Sequence, residues 1–144
     1  MKARAARPIP RRPAPPAPRL EPGTKNWLRL NGEFLMGPRY AALLEGVDEL
    51  GSIRAACGRA GVSYRTALNR VRQMERVLGA PVLATRRGGT EGGGARLTPL
   101  ARAIVQVYRE WRAELLRLSD DAFRRACARV GGLLEAGQPP PGPP

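Results

Sequence analysis

Twelve of the fifteen prolines in this 144-residue chain lie in its two ends, seven between Pro8 and Pro22 and five between Pro139 and Pro144. A proline removes a backbone donor and fixes φ, so a segment crowded with them supports neither a helix interior nor a central strand. Residues 1–25, rich in arginine and proline, and residues 137–144, rich in proline and glycine, also carry too few apolar side chains to offset the entropy of ordering. Both read as disordered tails. Folding is then left to residues 26–136, whose only prolines are Pro38, Pro81 and Pro99, enough chain for one modest domain.

Histidine is absent from the chain. That removes imidazole acid–base chemistry, histidine triads and histidine metal sites together. Cys57 and Cys127 are too far apart in sequence to form a zinc-type pair and too few for a disulfide framework. No enzymatic activity, metal or cofactor is expected. No run approaches the ~18 apolar residues of a membrane span, and the basic start is not followed by an apolar stretch. No membrane partner is expected, and the reading is of a cytoplasmic protein.

The net charge of +13 is unevenly placed. Residues 54–102 hold ten arginines against Glu75 and Glu91, residues 26–53 are net acidic, and residues 103–137 are close to neutral. A concentrated positive field of this kind suits a polyanion, with double-stranded nucleic acid ahead of an anionic membrane surface.

Local patterns place that charge on elements. Residues 27–35 alternate loosely around Asn31-Gly32, a strand or hairpin signal. Pro38 opens a helix whose apolar stripe is Tyr40, Leu43, Leu44, Val47 and Leu50. Gly51 ends it, and Ser52 caps a short helix over 53–60 with Ile53, Ala56, Cys57 and Ala60 inward, small enough for another helix to cross closely. Gly61-Val62-Ser63 forms a turn, and a third helix over 64–79 buries Ala67, Leu68, Val71, Met74 and Leu78. At about 100° per residue, its outward arc collects Arg65, Thr66, Asn69, Gln73 and Arg76, flanked by Arg70 and Arg72 and free of acidic groups. Arginine reads guanine, Asn and Gln read adenine, and Thr meets a thymine methyl or a phosphate. Tyr64 projects towards the core side, where packing and DNA contact are equally open. Short helix, glycine turn and polar-faced helix in succession make a helix-turn-helix.

Residues 81–98 read as strand, glycine-rich loop and strand, a wing with Arg86 and Arg87 at its entry, Thr90 in the loop and Arg96 at its exit. A nucleotide-binding loop is the rival reading, but the Gly-Lys-Ser/Thr ending is missing. Thr98-Pro99 then starts a long helix. Leu97, Ala101, Ile104, Tyr108, Trp111, Leu115, Leu118 and Ala122 alternate by four and three, the pattern of a two-stranded seam. Ser119-Asp120-Asp121 is expected to cap a second segment over 121–136. The fold class is therefore mainly α with a small β-hairpin wing: a winged helix-turn-helix over 26–100, followed by a helical dimerisation segment over 101–136.

Residues 51–108 resemble the N-terminal DNA-binding domain of ModE-type molybdate-responsive regulators, most closely at Gly51-Ser52-Ile53, Ala60-Gly61-Val62-Ser63-Tyr64 and the wing glycines through Leu97-Thr98. A more distant similarity to LysR-type winged helix-turn-helix domains is also visible. The resemblance covers about residues 26–118 and implies a dimeric bacterial transcription regulator. The oxyanion-binding domains of that family would begin where this sequence reaches Pro144, so no molybdate or other small-molecule site is expected in these residues.

The expected contacts follow from both readings. Ser63, Tyr64, Arg65, Thr66, Asn69 and Arg70 are candidates for bases and nearby backbone, and Arg72, Gln73, Arg86, Arg87, Thr90 and Arg96 for phosphates. Ile104, Tyr108, Trp111, Leu115 and Leu118 are candidates for a homodimer seam. A protein-interaction adaptor and a nonspecific nucleoid coat, each built on a winged helix, remain the alternatives.

Overall fold

The computed structural model describes residues 20–85 and 94–130. Asn31 and Gly32 both adopt positive φ, 50° and 83°. That is what a two-residue hairpin turn demands, and it joins β1 (Leu28–Leu30) to antiparallel β2 (Glu33–Met36). Pro38 then occupies the first position of α1 (Pro38–Leu50), and Gly51, at φ 67°, closes it in the left-handed conformation. The Ser52 side chain accepts the Ala55 N–H at 3.3 Å to start α2 (Ile53–Ala60). Ser63 accepts the Thr66 N–H at 3.1 Å to start α3 (Tyr64–Leu78). The second, small antiparallel sheet pairs β3 (Leu83–Thr85) with β4 (Ala95–Leu97), and α4 (Pro99–Val130) follows.

Two clusters make the core. Leu35 and Met36 of the first hairpin, Leu44 of α1, Val71 and Met74 of α3, Val82, Leu97, and Ala101, Val105 and Tyr108 of α4 form the larger. Leu43, Val47, Ala56, Cys57, Ala67 and Ala95 form the smaller, under the helix-turn-helix. In the latter α1 crosses α2 at Gly46, where an added Cβ would stand 3.1 Å from the Ala56 Cβ and 3.3 Å from its Cα. The small residues of α2 do allow the close crossing expected of them, and the partner surface is a glycine inside α1.

Side-chain hydrogen bonds tie the later elements to this core. Glu75 accepts the Val82 N–H at 2.9 Å, setting the exit of α3. Thr98 accepts the Ala101 N–H at 3.3 Å while donating to the Pro81 carbonyl at 2.8 Å, so the cap of α4 also latches the start of the wing. Asp48 accepts Arg102 through Nε at 2.8 Å and Nη2 at 2.7 Å, and also the Leu97 N–H at 3.3 Å. One carboxylate thus links α1, β4 and α4. This pairing with Arg102 holds Asp48 below its usual carboxylate range.

Two expectations for the long helix need correction. No cap interrupts it at Ser119-Asp120-Asp121, because α4 runs unbroken from Pro99 to Val130. Asp121 serves as an ion-pair partner along the helix instead, with Arg124 at 2.6 Å and Arg117 at 3.4 Å. Two of the candidate seam residues also face the domain itself. Tyr108 is 1% exposed in the domain's own core, where its hydroxyl donates to the Asn26 carbonyl at 3.1 Å, and Ile104 packs against that core. Residues 1–19, 86–93 and 131–144 lie outside the described residues, and with them most of both tails and the wing loop.

Candidate nucleic-acid interface

The reading face is built by the phase of α3. Ala67, Val71 and Met74 are buried, and this turns Arg65, Thr66, Asn69, Arg72 and Arg76 outward, all exposed. The one carboxylate of the helix, Glu75, is occupied by the Val82 N–H, so nothing acidic interrupts the arc. At its N-terminal end the Ser63 and Thr66 hydroxyls lie 2.8 Å apart, which organises the first turn and leaves the rest of both side chains exposed.

The arginines differ in whether a carboxylate holds them. Arg59 is paired with Glu49 and Arg102 with Asp48. Each of these guanidiniums is held in its charged form chiefly by the hydrogen bond to that carboxylate. Arg54, Arg65, Arg72, Arg76 and Arg96 carry no ion pair among the described residues. These five, spread over α2, α3 and the wing strand β4, are among the cations of the described residues left free to meet phosphate or base.

Arg70 and Gln73 sit differently from what helix projection suggests. The Arg70 guanidinium lies over the rings of Phe34 and Tyr40, at 4.1 and 4.6 Å from their centres, and donates to Gln73 Oε1. Burial there pushes its pKa down from the usual guanidinium range. Both side chains are half-buried, fastening α3 to the first hairpin and α1. Position 70 adjoins buried Val71, close enough to the edge of the apolar stripe for a long side chain to fold back over it.

Tyr64 is not in the core either. It is 39% exposed, with the Arg54 guanidinium 4.6 Å from its ring centre. Arg54 stands at the start of α2, across the turn from the start of α3, so the pattern of α3 alone does not reveal it and the patterns of both helices together do. Arg96 is exposed on β4, at the wing exit as expected. Arg86, Arg87 and Thr90 lie outside the described residues.

A helix-turn-helix that carries an unopposed arginine-rich face defines a regulatory DNA-binding module as its class. Residues 39–102 match the model of the family described as bacterial regulatory helix-turn-helix protein, lysR family. The domain they form is a LysR-type helix-turn-helix. The chain is also 41% identical over 73 residues to the molybdenum-pterin-binding protein MopB of Rhodobacter capsulatus, covering 51% of this chain and 27% of that protein. It is 32% identical over 81 residues to the transcriptional regulator ModE of Haemophilus influenzae, covering 56% of this chain and 32% of that protein. The chain thus spans roughly a third of the length of these curated relatives. Among solved structures, a CbnR DNA-binding domain–DNA complex aligns with 62% of this chain and 97% of that chain, at a TM-score of 0.49 and 24% identity. No helix among the described residues is long and apolar enough to cross a membrane.

Proposed function

We propose that the chain binds double-stranded DNA sequence-specifically as a homodimeric transcription regulator, with α3 in the major groove. The observation that carries this is the outward arc of α3: Arg65, Thr66, Asn69, Arg72 and Arg76 exposed together, with no carboxylate among them. Ser63, Arg65, Thr66 and Asn69 form the base-reading end, joined by Tyr64 at its edge. Arg54, Arg72 and Arg96 hold phosphates, as do Arg86, Arg87 and Thr90 of the wing loop. Arg70 and Gln73 orient the helix rather than reach the duplex.

The homodimer reading rests on a second stripe. From Arg109 to Val130 no residue of α4 is buried. Leu100, Val107, Trp111 and Leu118 stand out among its exposed large apolar side chains. With Ile104 and Leu115 half-buried between them, they follow heptad-like spacing along one side. Ala101, Val105 and Tyr108 serve the domain, and this neighbouring stripe is the one left for a second copy. Two copies joined there would set their reading helices about 34 Å apart, one turn of duplex.

Selection of bound fragments from genomic DNA tests the reading. A selective site with two related half-sites is the expected result. Binding with a steep salt dependence but no sequence preference would establish the nucleoid coat instead, and no binding at low salt would leave the adaptor.

A further inference from the structure

Between the first hairpin and the start of α1 lies a cavity of about 440 Å³, within the usual size range of small-molecule sites. Its walls are aromatic: Trp27, Phe34 and Tyr40 line it. Trp27 is 45% exposed, an unusual position for a side chain of that size in so small a domain. No acidic side chain lines the cavity, whereas Lys25 and Arg39 do, and neither carries an ion pair among the described residues. Helix α1 also begins here: Pro38 has no N–H, the Tyr40 and Ala41 N–H groups donate to the Gly37 carbonyl at 3.1 and 3.0 Å, and the Arg39 N–H is the first-turn donor that Gly37, lacking a side chain, leaves open.

The floor supplies an independent observation. Asn26 is only 9% exposed, and neither its Nδ2 nor its Oδ1 has a hydrogen-bond partner. Buried amides are nearly always paired, so a ligand oxygen able to accept from the Asn26 Nδ2 would answer one of these two groups. We propose that the cavity binds a small planar aromatic carboxylate. The rings would pack on it, Lys25 and Arg39 would hold its charge, and a small rotation of Asn26 would bring its Nδ2, closed to solvent in the free protein, to donate to a carboxylate oxygen. Sequence patterning could not reveal such a site, because Asn26 and Tyr40 meet only through the hairpin fold.

The position suggests what occupancy does. Phe34 and Tyr40 are also the rings under Arg70 of α3, and the Asn26 carbonyl receives the Tyr108 hydroxyl of α4. A ligand that clamps those rings therefore alters the seating of the reading helix. This last step rests on the DNA-binding reading above; ligand binding itself does not.

Benzoate and its uncharged counterpart benzamide are suitable probes, read by the indole N–H resonances of the isotope-labelled full chain. Benzoate should shift the Trp27 signal saturably and leave Trp111 unmoved, with benzamide at least about tenfold weaker. Asn26→Leu and Arg39→Gln should each weaken benzoate about tenfold or more, and Arg39 is exposed, so its variant keeps the fold if the other does not. No saturable shift by ~10 mM, equal shifts of both tryptophans, or equal binding of benzamide overturns the site. Saturating benzoate should change duplex affinity severalfold in the wild type and not in Arg39→Gln; a Trp27 shift without that change overturns the coupling alone. A chain that binds benzoate but no duplex at all refutes the proposed function and leaves the site standing.

Discussion

Helices α3 and α4 solve the same problem with opposite surfaces. Each lays an apolar stripe on the shared larger cluster, Val71 and Met74 in one and Ala101, Val105 and Tyr108 in the other. Each then has an outward face to dispose of. On α3 that face is cationic and amide-bearing, suited to a hydrated polyanion. On α4 it is apolar at Leu100, Val107, Trp111 and Leu118, with Glu114, Arg117, Asp121 and Arg124 pairing alongside. Charge that is partly paired along the helix, beside an exposed apolar stripe, suits another protein surface, because only a weak net field opposes approach of an identical helix. On the proposed function, α3 faces the duplex and α4 a second copy.

The most severe way to break the comparison is to put charge on the apolar stripe. Trp111→Glu with Leu118→Glu should convert a dimer to a monomer in sedimentation. Because the two half-sites are then no longer linked, affinity for a paired site should fall about 10²–10⁴-fold. A dimer that survives both substitutions would place self-association elsewhere. Next in size is the crossing that carries both faces. Gly46→Ala forces a methyl to within 3.1–3.3 Å of Ala56, and overpacking of this kind should cost about 1–3 kcal/mol in denaturant unfolding.

On the proposed function, the basic surface of α3 and β4 divides into contacts that specify and contacts that merely attract. Asn69→Ala should relax preference at one base position at a cost of about 1–3 kcal/mol in a binding-site selection. Arg96→Ala should weaken all sequences alike and lower the salt slope by about one. If Arg96→Ala changes sequence preference while Asn69→Ala changes nothing, the division is reversed.

Much of this was legible from local signals because the features are local. The Asn31-Gly32 turn, the Ser52 and Ser63 caps, the left-handed glycines and the Thr98-Pro99 start all act within a few residues. Arg70 was misplaced because its stacking partners, Phe34 and Tyr40, come from a hairpin and a helix about thirty residues earlier in the chain. Tyr108, a candidate for the seam, turns inward for a related reason. A pattern spaced by fours and threes fits two adjacent stripes of one helix equally well, and only packing against Asn26 and the core decides that Tyr108 faces inward. Asp48 left no sequence signature, since its partners Leu97 and Arg102 lie some fifty residues away.

That same Asp48 provides the smallest and most selective test, because it joins the support of the two faces without belonging to either. Its pKa is depressed from an ordinary value of 3.8, so its stabilising effect is present above that value in the folded protein and fades as pH falls through the lowered one. Asp48→Asn should cost about 1 kcal/mol at neutral pH, since the pair with Arg102 is bidentate but partly open to solvent. Unfolding curves of the variant and the wild type should converge as pH drops below about 3.8. A difference that persists undiminished in acid would mean that Asp48 acts through packing rather than charge. The link between α1, β4 and α4 would then be steric, and salt would leave it unchanged.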